Sequence, residues 1–116
     1  MYESEDILRI AKRNHNKKRQ YLLVNPLQGK HVPVNPAECL NMMHEFGDQL
    51  YTEFPDIGLI IGFAETATAI GAVIAAMKNA NYITTTREEI GSNTIEFKEE
   101  HSHAVEQQIS TENLDK

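Results

Sequence analysis

The stretch that most constrains this chain is residues 57–77, IGLIIGFAETATAIGAVIAAM, 21 positions with a single formal charge at Glu65. Its length alone would allow a bilayer crossing. Glu65 stands near the middle, however, where hydrocarbon makes a carboxylate costly. Thr66 and Thr68 flank it, and neither end carries a Trp or Tyr belt. Two elements joined by a turn account for the stretch better than one span. Residues 57–62, IGLIIG, run apolar without alternation, as a parallel strand covered on both faces does. Residues 67–78 are Ala-rich and set Ile70, Val73, Ile74 and Met77 at helical spacing. Between them lies Gly62-Phe63-Ala64-Glu65-Thr66.

The flanking segments extend that pattern. Residues 3–14 read as a short amphipathic helix with Ile7, Leu8, Ile10 and Ala11 on one side. YLLV at 21–24 reads as a strand, followed by a loop punctuated by Pro26, Gly29, Pro33 and Pro36 that holds Lys30-His31-Val32. Asn35-Pro36-Ala37-Glu38 is a helix start: Asn35 caps, Pro36 suits the first turn, and Glu38 faces the positive helix end. Cys39, Met43, Phe46 and Leu50 then form a stripe expected to be buried. NYITTT at 81–86 reads as a strand, Gly91-Ser92-Asn93 as a turn, and 94–97 alternates like a strand. From 105 the chain is polar and expected to fray. Strand, helix and strand in this order imply an α/β fold with a parallel sheet flanked by helices. The expected layout is a basic arm over 1–20, a domain over 21–104 and a tail over 105–116.

Charge narrows the partners. Residues 1–20 carry +3 and residues 21–116 carry −9. The acidic body repels nucleic acid, which is therefore not an expected partner. The basic run Lys12, Arg13, Lys17, Lys18 and Arg19 reads as a solvated stretch in preference to a phosphate-contacting arm. One cysteine, Cys39, excludes an internal disulfide framework and a Cys-based zinc site. Met1 is followed by Tyr-Glu-Ser-Glu-Asp, which has no leader pattern. A reducing, cytoplasmic setting without membrane attachment is the expectation.

In an open α/β sheet, ligands bind beyond the carboxyl ends of the strands. Three segments qualify. The first is the turn 62–68, GFAETAT, where small residues admit a ligand to the backbone and a helix start offers N–H groups to an anion. Glu65 repels anions; it could hold a cation, accept hydrogen bonds from a sugar, or simply be solvated. The second is Thr84-Thr85-Thr86-Arg87, where Arg87 either grips a phosphate or carboxylate or pairs with Glu88 or Glu89 at the surface. The third is Lys98-Glu99-Glu100-His101-Ser102-His103. His101 and His103 share a face if extended, but no second His pair follows and no dedicated metal site is assigned. The same residues suit a polar loop closing over a charged substrate and supplying protons, or a solvated acidic loop.

YLLVNPLQGKHVPVNP, IIGFAETATAIG, YITTTRE and FKEEHSHA occur here in one order, over Tyr21 to Ala104. Together they resemble the orotate-phosphoribosyltransferase-like family found in tellurium-resistance-type bacterial gene clusters. The resemblance implies a type I phosphoribosyltransferase fold. It implies transfer of ribose 5-phosphate from phosphoribosyl pyrophosphate to a small-molecule acceptor, usually at nitrogen, with release of pyrophosphate and participation of Mg²⁺. Ala64, Glu65, Thr66, Ala67 and Thr68 then correspond to the pyrophosphate-binding loop, with a non-proline cis peptide at Ala64–Glu65. Segment 98–103 corresponds to the catalytic loop, in which Lys98, Glu100, His101 and His103 act and the cationic groups offset charge on the leaving group. Lys30, His31 and Arg87 are further substrate-binding candidates.

One part of the family pattern is missing. After His103 there is no acidic pair followed by a Thr/Gly-rich turn, the element that would cradle the ribose phosphate; Asp115 is the only aspartate there. The chain therefore reads as the first half of the catalytic domain, weakly active or inactive alone. A non-catalytic module for a phosphorylated ligand or a protein partner is the alternative. An exposed sheet edge predicts self-association, and a homodimer is plausible by analogy with related enzymes.

Overall fold

A computed structural model describes residues 1–13, 18, 20–30, 32–88, 90–91, 93–98 and 106–112. The chain falls into two units, Met1–Gln49 and Leu50–Lys116.

In the first unit, α1 covers only Ser4–Ile7 and gives way to strand β1, Arg9–Lys12. A helix over 3–14 was the expectation, and it is overturned from Leu8 onward. Leu8 is already extended, at φ −121° and ψ 126°. A single helical turn with no buried side chain gains little. Pairing with a second strand gains more: β1 runs antiparallel to β2, Tyr21–Val24, with Arg9 opposite Val24 and Lys12 opposite Tyr21. A 3-10 turn at Pro26–Gln28 follows, opened by the Asn25 side chain accepting from the Leu27 N–H and ended by Gly29 at φ +76°. Helix α2, Pro36–Glu53, starts where the sequence predicts, and Asn35 Oδ1 accepts from the Ala37 N–H at 2.8 Å. Met42 and Met43 are buried on it. Phe46, expected in the buried stripe, is 47% exposed; the buried side passes beside it through Met43 and Gly47.

In the second unit, β3 (Leu59–Gly62), α3 (Thr68–Met77) and β4 (Asn81–Thr84) form a parallel strand–helix–strand unit. Leu59 pairs with Asn81 and Gly62 with Thr84, and the ladder continues through Asn81 N–H to Gly58 C=O and Thr85 N–H to Gly62 C=O. Residues 57–77 are thus a strand, a turn and a helix, and among the described residues no helix is long and apolar enough to cross a membrane. Ile74 and Ala75 are the buried side of α3; burying an isoleucine stabilises by about 1.5–3 kcal/mol. The Tyr51 hydroxyl at the end of α2 donates to the Ile74 carbonyl at 2.8 Å. Asn79, at φ +55°, ends α3, and the Ala80 N–H returns to the Ala75 carbonyl.

Gly62 and Gly71 allow β3 and α3 to approach closely. A Cβ on Gly62 would stand 2.6 Å from the Tyr82 hydroxyl oxygen and 2.8 Å from the Ala67 carbonyl oxygen. One on Gly71 would stand 2.9 Å from the Tyr82 ring.

Strands β5 (Thr94–Lys98) and β6 (Glu106–Ser110) pair antiparallel, with Lys98 opposite Glu106. The expectation of fraying from residue 105 is overturned over Glu106–Ser110. Ile109 is 1% exposed and Gln107 is fully buried, so burial and pairing outweigh the polar composition. Thr86 and Gln108 exchange both backbone hydrogen bonds at 2.7 Å, which joins the end of β4 to β6.

Candidate functional site

The site candidate is built at the carboxyl end of β3, where the chain turns into α3. The Gly62 carbonyl accepts from the Thr85 N–H at 3.1 Å and from the Thr84 hydroxyl at 2.9 Å. One residue beyond Phe63, the Ala64 N–H donates to Thr85 Oγ1 at 2.8 Å. The threonine pair thereby holds the backbone on both sides of Phe63. The Thr85 hydroxyl in turn donates to Gln107 Oε1. Thr85 is 1% exposed and Gln107 fully buried, so the contact between these two side chains is sealed from water, while Thr84 is exposed.

Beyond that anchor the turn opens to solvent. The Ala64–Glu65 peptide is cis, at the bond to which the resemblance assigns it. Glu65 and Thr66 are exposed, and Ala67 and Thr68 are half-buried. Ala67 occupies the N-cap position of α3, where alanine has no side-chain acceptor to offer the first turn. The N–H groups there form the positive end of the helix dipole, although the Ala67 N–H already donates to the Phe63 carbonyl at 2.9 Å and the Thr68 N–H to the Glu65 carbonyl at 3.3 Å. The Tyr82 hydroxyl fixes the same turn from below, donating to the Thr68 carbonyl at 2.7 Å.

Arg87 Nη1 lies 3.7 Å from Glu65 Oε1. Arg87 thus has a partner on the turn itself, in addition to the alternatives the sequence offers. Glu65 is 78% exposed, so the pair contributes little to stability. It does place a guanidinium beside the turn.

The Phe63 and Phe97 rings meet edge to face, with centroids 5.1 Å apart and planes at 83°. Phe63 immediately precedes Ala64, and Phe97 immediately precedes Lys98. Two of the three segments singled out by the sequence are therefore joined through one aromatic contact, Phe63 within the first and Phe97 just before the third.

A family model described as phosphoribosyl transferase matches residues 7–116. The chain belongs to that family. Neither a curated protein nor a solved structure matches it. For this phosphoribosyltransferase-family chain, the match takes in 7–20 and 105–116, beyond the segments whose words carry the resemblance. Its mixed α/β unit with a parallel strand pair is compatible with part of the family fold.

Within that family assignment, the candidate residues distribute as follows. Ala64, Glu65, Thr66, Ala67 and Thr68 share one turn, with Arg87 against it. Lys98 is exposed at the end of β5. Lys30 is exposed in the other unit, directly after Gly29. His31, Glu100, His101 and His103 lie outside the described residues. Sequence reasoning missed Gln107, whose polar surroundings of Glu106 and Gln108 read as tail. Only the alternation of Gln107 with Ile109 signalled a strand.

The fit of Mg²⁺ to these residues follows from the donor set. Among the described residues no group of three His, Cys, Asp or Glu side chains forms a cage. One exposed carboxylate, Glu65, stands at the turn beside Thr66 and Thr68. Mg²⁺ commonly takes one or two carboxylates and leaves its other positions to phosphate oxygens and water. The set fits a cation that arrives on a diphosphate.

Proposed function

We propose that the chain is a phosphoribosyltransferase acting on phosphoribosyl pyrophosphate, with the turn at residues 64–68 as the seat of the diphosphate. The observation that supports the reading is the Phe63–Phe97 contact, between the residue before that turn and the residue before segment 98–103.

The chemistry follows from charge. The C1–O bond of phosphoribosyl pyrophosphate breaks as a nucleophile attacks C1, and the bonding pair leaves with the pyrophosphate. Negative charge grows on that leaving group. Backbone N–H groups at the start of α3 and the Arg87 guanidinium are fixed donors for it, and fixed donors need no reorganisation as charge develops. Lys98, His101 and His103 are proposed sources of positive charge or protons, and Glu100 is a candidate proton acceptor for the nucleophile. Bound Mg²⁺ would neutralise diphosphate charge, with Glu65 as the protein ligand. Lys30 and His31 are proposed contacts to the substrate.

The finer assignment belongs to the same proposal: an orotate-phosphoribosyltransferase-like protein of tellurium-resistance-type bacterial gene clusters, acting in the cytoplasm on a small-molecule acceptor, with a homodimer as its working state. What supports it is the ordered set of words from YLLVNP to EEHSHA. A second reading, a binding module for a phosphorylated ligand, rests on the same turn, whose alanine-capped helix start and neighbouring Arg87 suit a phosphate whether or not a reaction follows.

Calorimetry with phosphoribosyl pyrophosphate and Mg²⁺, followed by a pyrophosphate-release assay over a panel of nitrogen acceptors, tests both. Binding with release supports the enzyme. Binding without release supports the module. A folded sample that gives no heat with either phosphoribosyl pyrophosphate or pyrophosphate overturns both.

A further inference from the structure

Gln107 is fully buried, yet among the described residues its side-chain amino group, Nε2, has no hydrogen-bond partner. A buried donor without a partner is a stability cost that a methionine or leucine at this position would avoid. The gain lies at the other end of the amide. Gln107 Oε1 accepts from the Thr85 hydroxyl, and Thr85 Oγ1 accepts from the Ala64 N–H. A hydroxyl has one proton to give. Once the glutamine carbonyl takes it, the oxygen lone pairs are left to face Ala64. The backbone of β6 is locked in place by the paired hydrogen bonds between Gln108 and Thr86. Gln107 therefore works from a fixed strand, opposite Phe97 in the β5–β6 register.

We propose that Gln107 is a positioning residue, which orients the Thr85 hydroxyl and through it sets the direction in which the chain leaves Ala64 to form the diphosphate seat. It touches no substrate. The inference rests on the reading of residues 64–68 as that seat, and it adds that the seat is held from the β5–β6 hairpin.

The test compares Thr85→Ser, Thr85→Val, Gln107→Met and the double variant Thr85→Val/Gln107→Met in the full chain. Affinity for inorganic pyrophosphate with Mg²⁺ is measured by calorimetry, well below each melting temperature. Exchange of the Ala64 amide proton is followed by NMR. Gln107→Met and Thr85→Val each weaken binding about tenfold, the factor carried by one hydrogen bond. The double variant loses the same tenfold, because both changes act on one relay. Thr85→Ser keeps the hydroxyl and retains wild-type binding and slow Ala64 exchange. Wild-type affinity in folded Gln107→Met, or multiplied losses in the double variant, overturns the proposal. If Gln107→Met does not fold, Gln107→Asn, whose shorter side chain withdraws the carbonyl from Thr85, takes its place: the same tenfold loss with faster Ala64 exchange supports the proposal, and wild-type values overturn it. If the wild type binds no pyrophosphate, the seat reading fails by itself. The relay is then judged on exchange: faster Ala64 exchange in Gln107→Met supports it, and unchanged exchange overturns it.

Discussion

Phe63 and Phe97, 34 positions apart in the sequence, form an edge-to-face pair with centroids 5.1 Å apart. Edge-to-face aromatic pairs add about 0.5–1.5 kcal/mol beyond the area they bury. Phe63 is 42% exposed and Phe97 is half-buried, so neither is a core side chain of full weight. We expect Phe97→Ala to cost about 2 kcal/mol, below the roughly 3–5 of a fully buried phenylalanine. Urea unfolding checks this. Phe97→Tyr, which keeps the ring, should stay within about 0.5 kcal/mol of the wild type.

The turn around Glu65 is legible in the sequence because three local signals agree there: a non-alternating apolar run, a cluster of small residues, and an Ala-rich helical pattern. The same holds at Asn35, where cap, proline and acidic first turn coincide. Strands β1 and β6 are not legible in this way. Arg9–Lys12 and Glu106–Ser110 owe their state to partners 12 residues or so away, Tyr21–Val24 and Thr94–Lys98, and pairing of that kind leaves no local mark. Gln107 shows the point most sharply. A glutamine between Glu106 and Gln108 reads as solvent-exposed tail; its alternation with Ile109 is the one local sign of a strand, and the Thr85 hydroxyl gives it a partner inside.

Gly62 carries a packing constraint that Gly58 does not. A Cβ on Gly62 would meet the Ala67 carbonyl oxygen at 2.8 Å, which is backbone and cannot rotate aside. Nothing lies within 4 Å of a Cβ on Gly58. Gly62→Ala should therefore destabilise by about 1–3 kcal/mol, the range for forcing an extra carbon into a packed site. Gly58→Ala should be neutral or gain up to about 1 kcal/mol from a less flexible unfolded chain. Paired denaturation curves give both values, and an equal loss for the two variants would count against the close β3–α3 approach.

Asn35 supplies the side-chain acceptor at the start of α2, taking the Ala37 N–H at 2.8 Å. Replacing it with alanine leaves that donor to water. The expected loss is about 1 kcal/mol, and Asn35→Asp should recover it, because a carboxylate accepts the same hydrogen bond and suits the helix dipole. Thermal melts of the three proteins compare them directly.

Arg87 stands beside the turn with its fork 3.7 Å from Glu65. If it grips a phosphate, geometry as well as charge matters, because a guanidinium bonds two oxygens at once and an ammonium does not. Arg87→Ala should weaken pyrophosphate binding by roughly 10–100-fold, as the loss of a charge-assisted contact does. Arg87→Lys should restore only part of it. The deficit in the alanine variant should shrink as salt is raised, since screening weakens the wild-type contact too. Full recovery with lysine would assign Arg87 a role of charge alone.

Glu65 offers the clearest separation between an anion seat and a cation ligand, because the two roles predict opposite signs. A carboxylate 78% exposed at the seat repels a metal-free diphosphate. Two unit charges at 4 Å interact by about 1 kcal/mol in water, so Glu65→Gln should tighten metal-free pyrophosphate binding by about fivefold. With Mg²⁺ present the sign reverses. On the proposed reading the wild-type carboxylate would then serve as a ligand of the cation on the diphosphate, and the glutamine amide would be a weaker one. The variant should bind Mg²⁺-pyrophosphate less tightly than the wild type, and its gain in affinity on adding Mg²⁺ should shrink. Titrations in excess chelator and in millimolar Mg²⁺ read both signs from one pair of proteins. Equal affinities for wild type and variant in both conditions would remove Glu65 from the site and leave the seat to the backbone and Arg87.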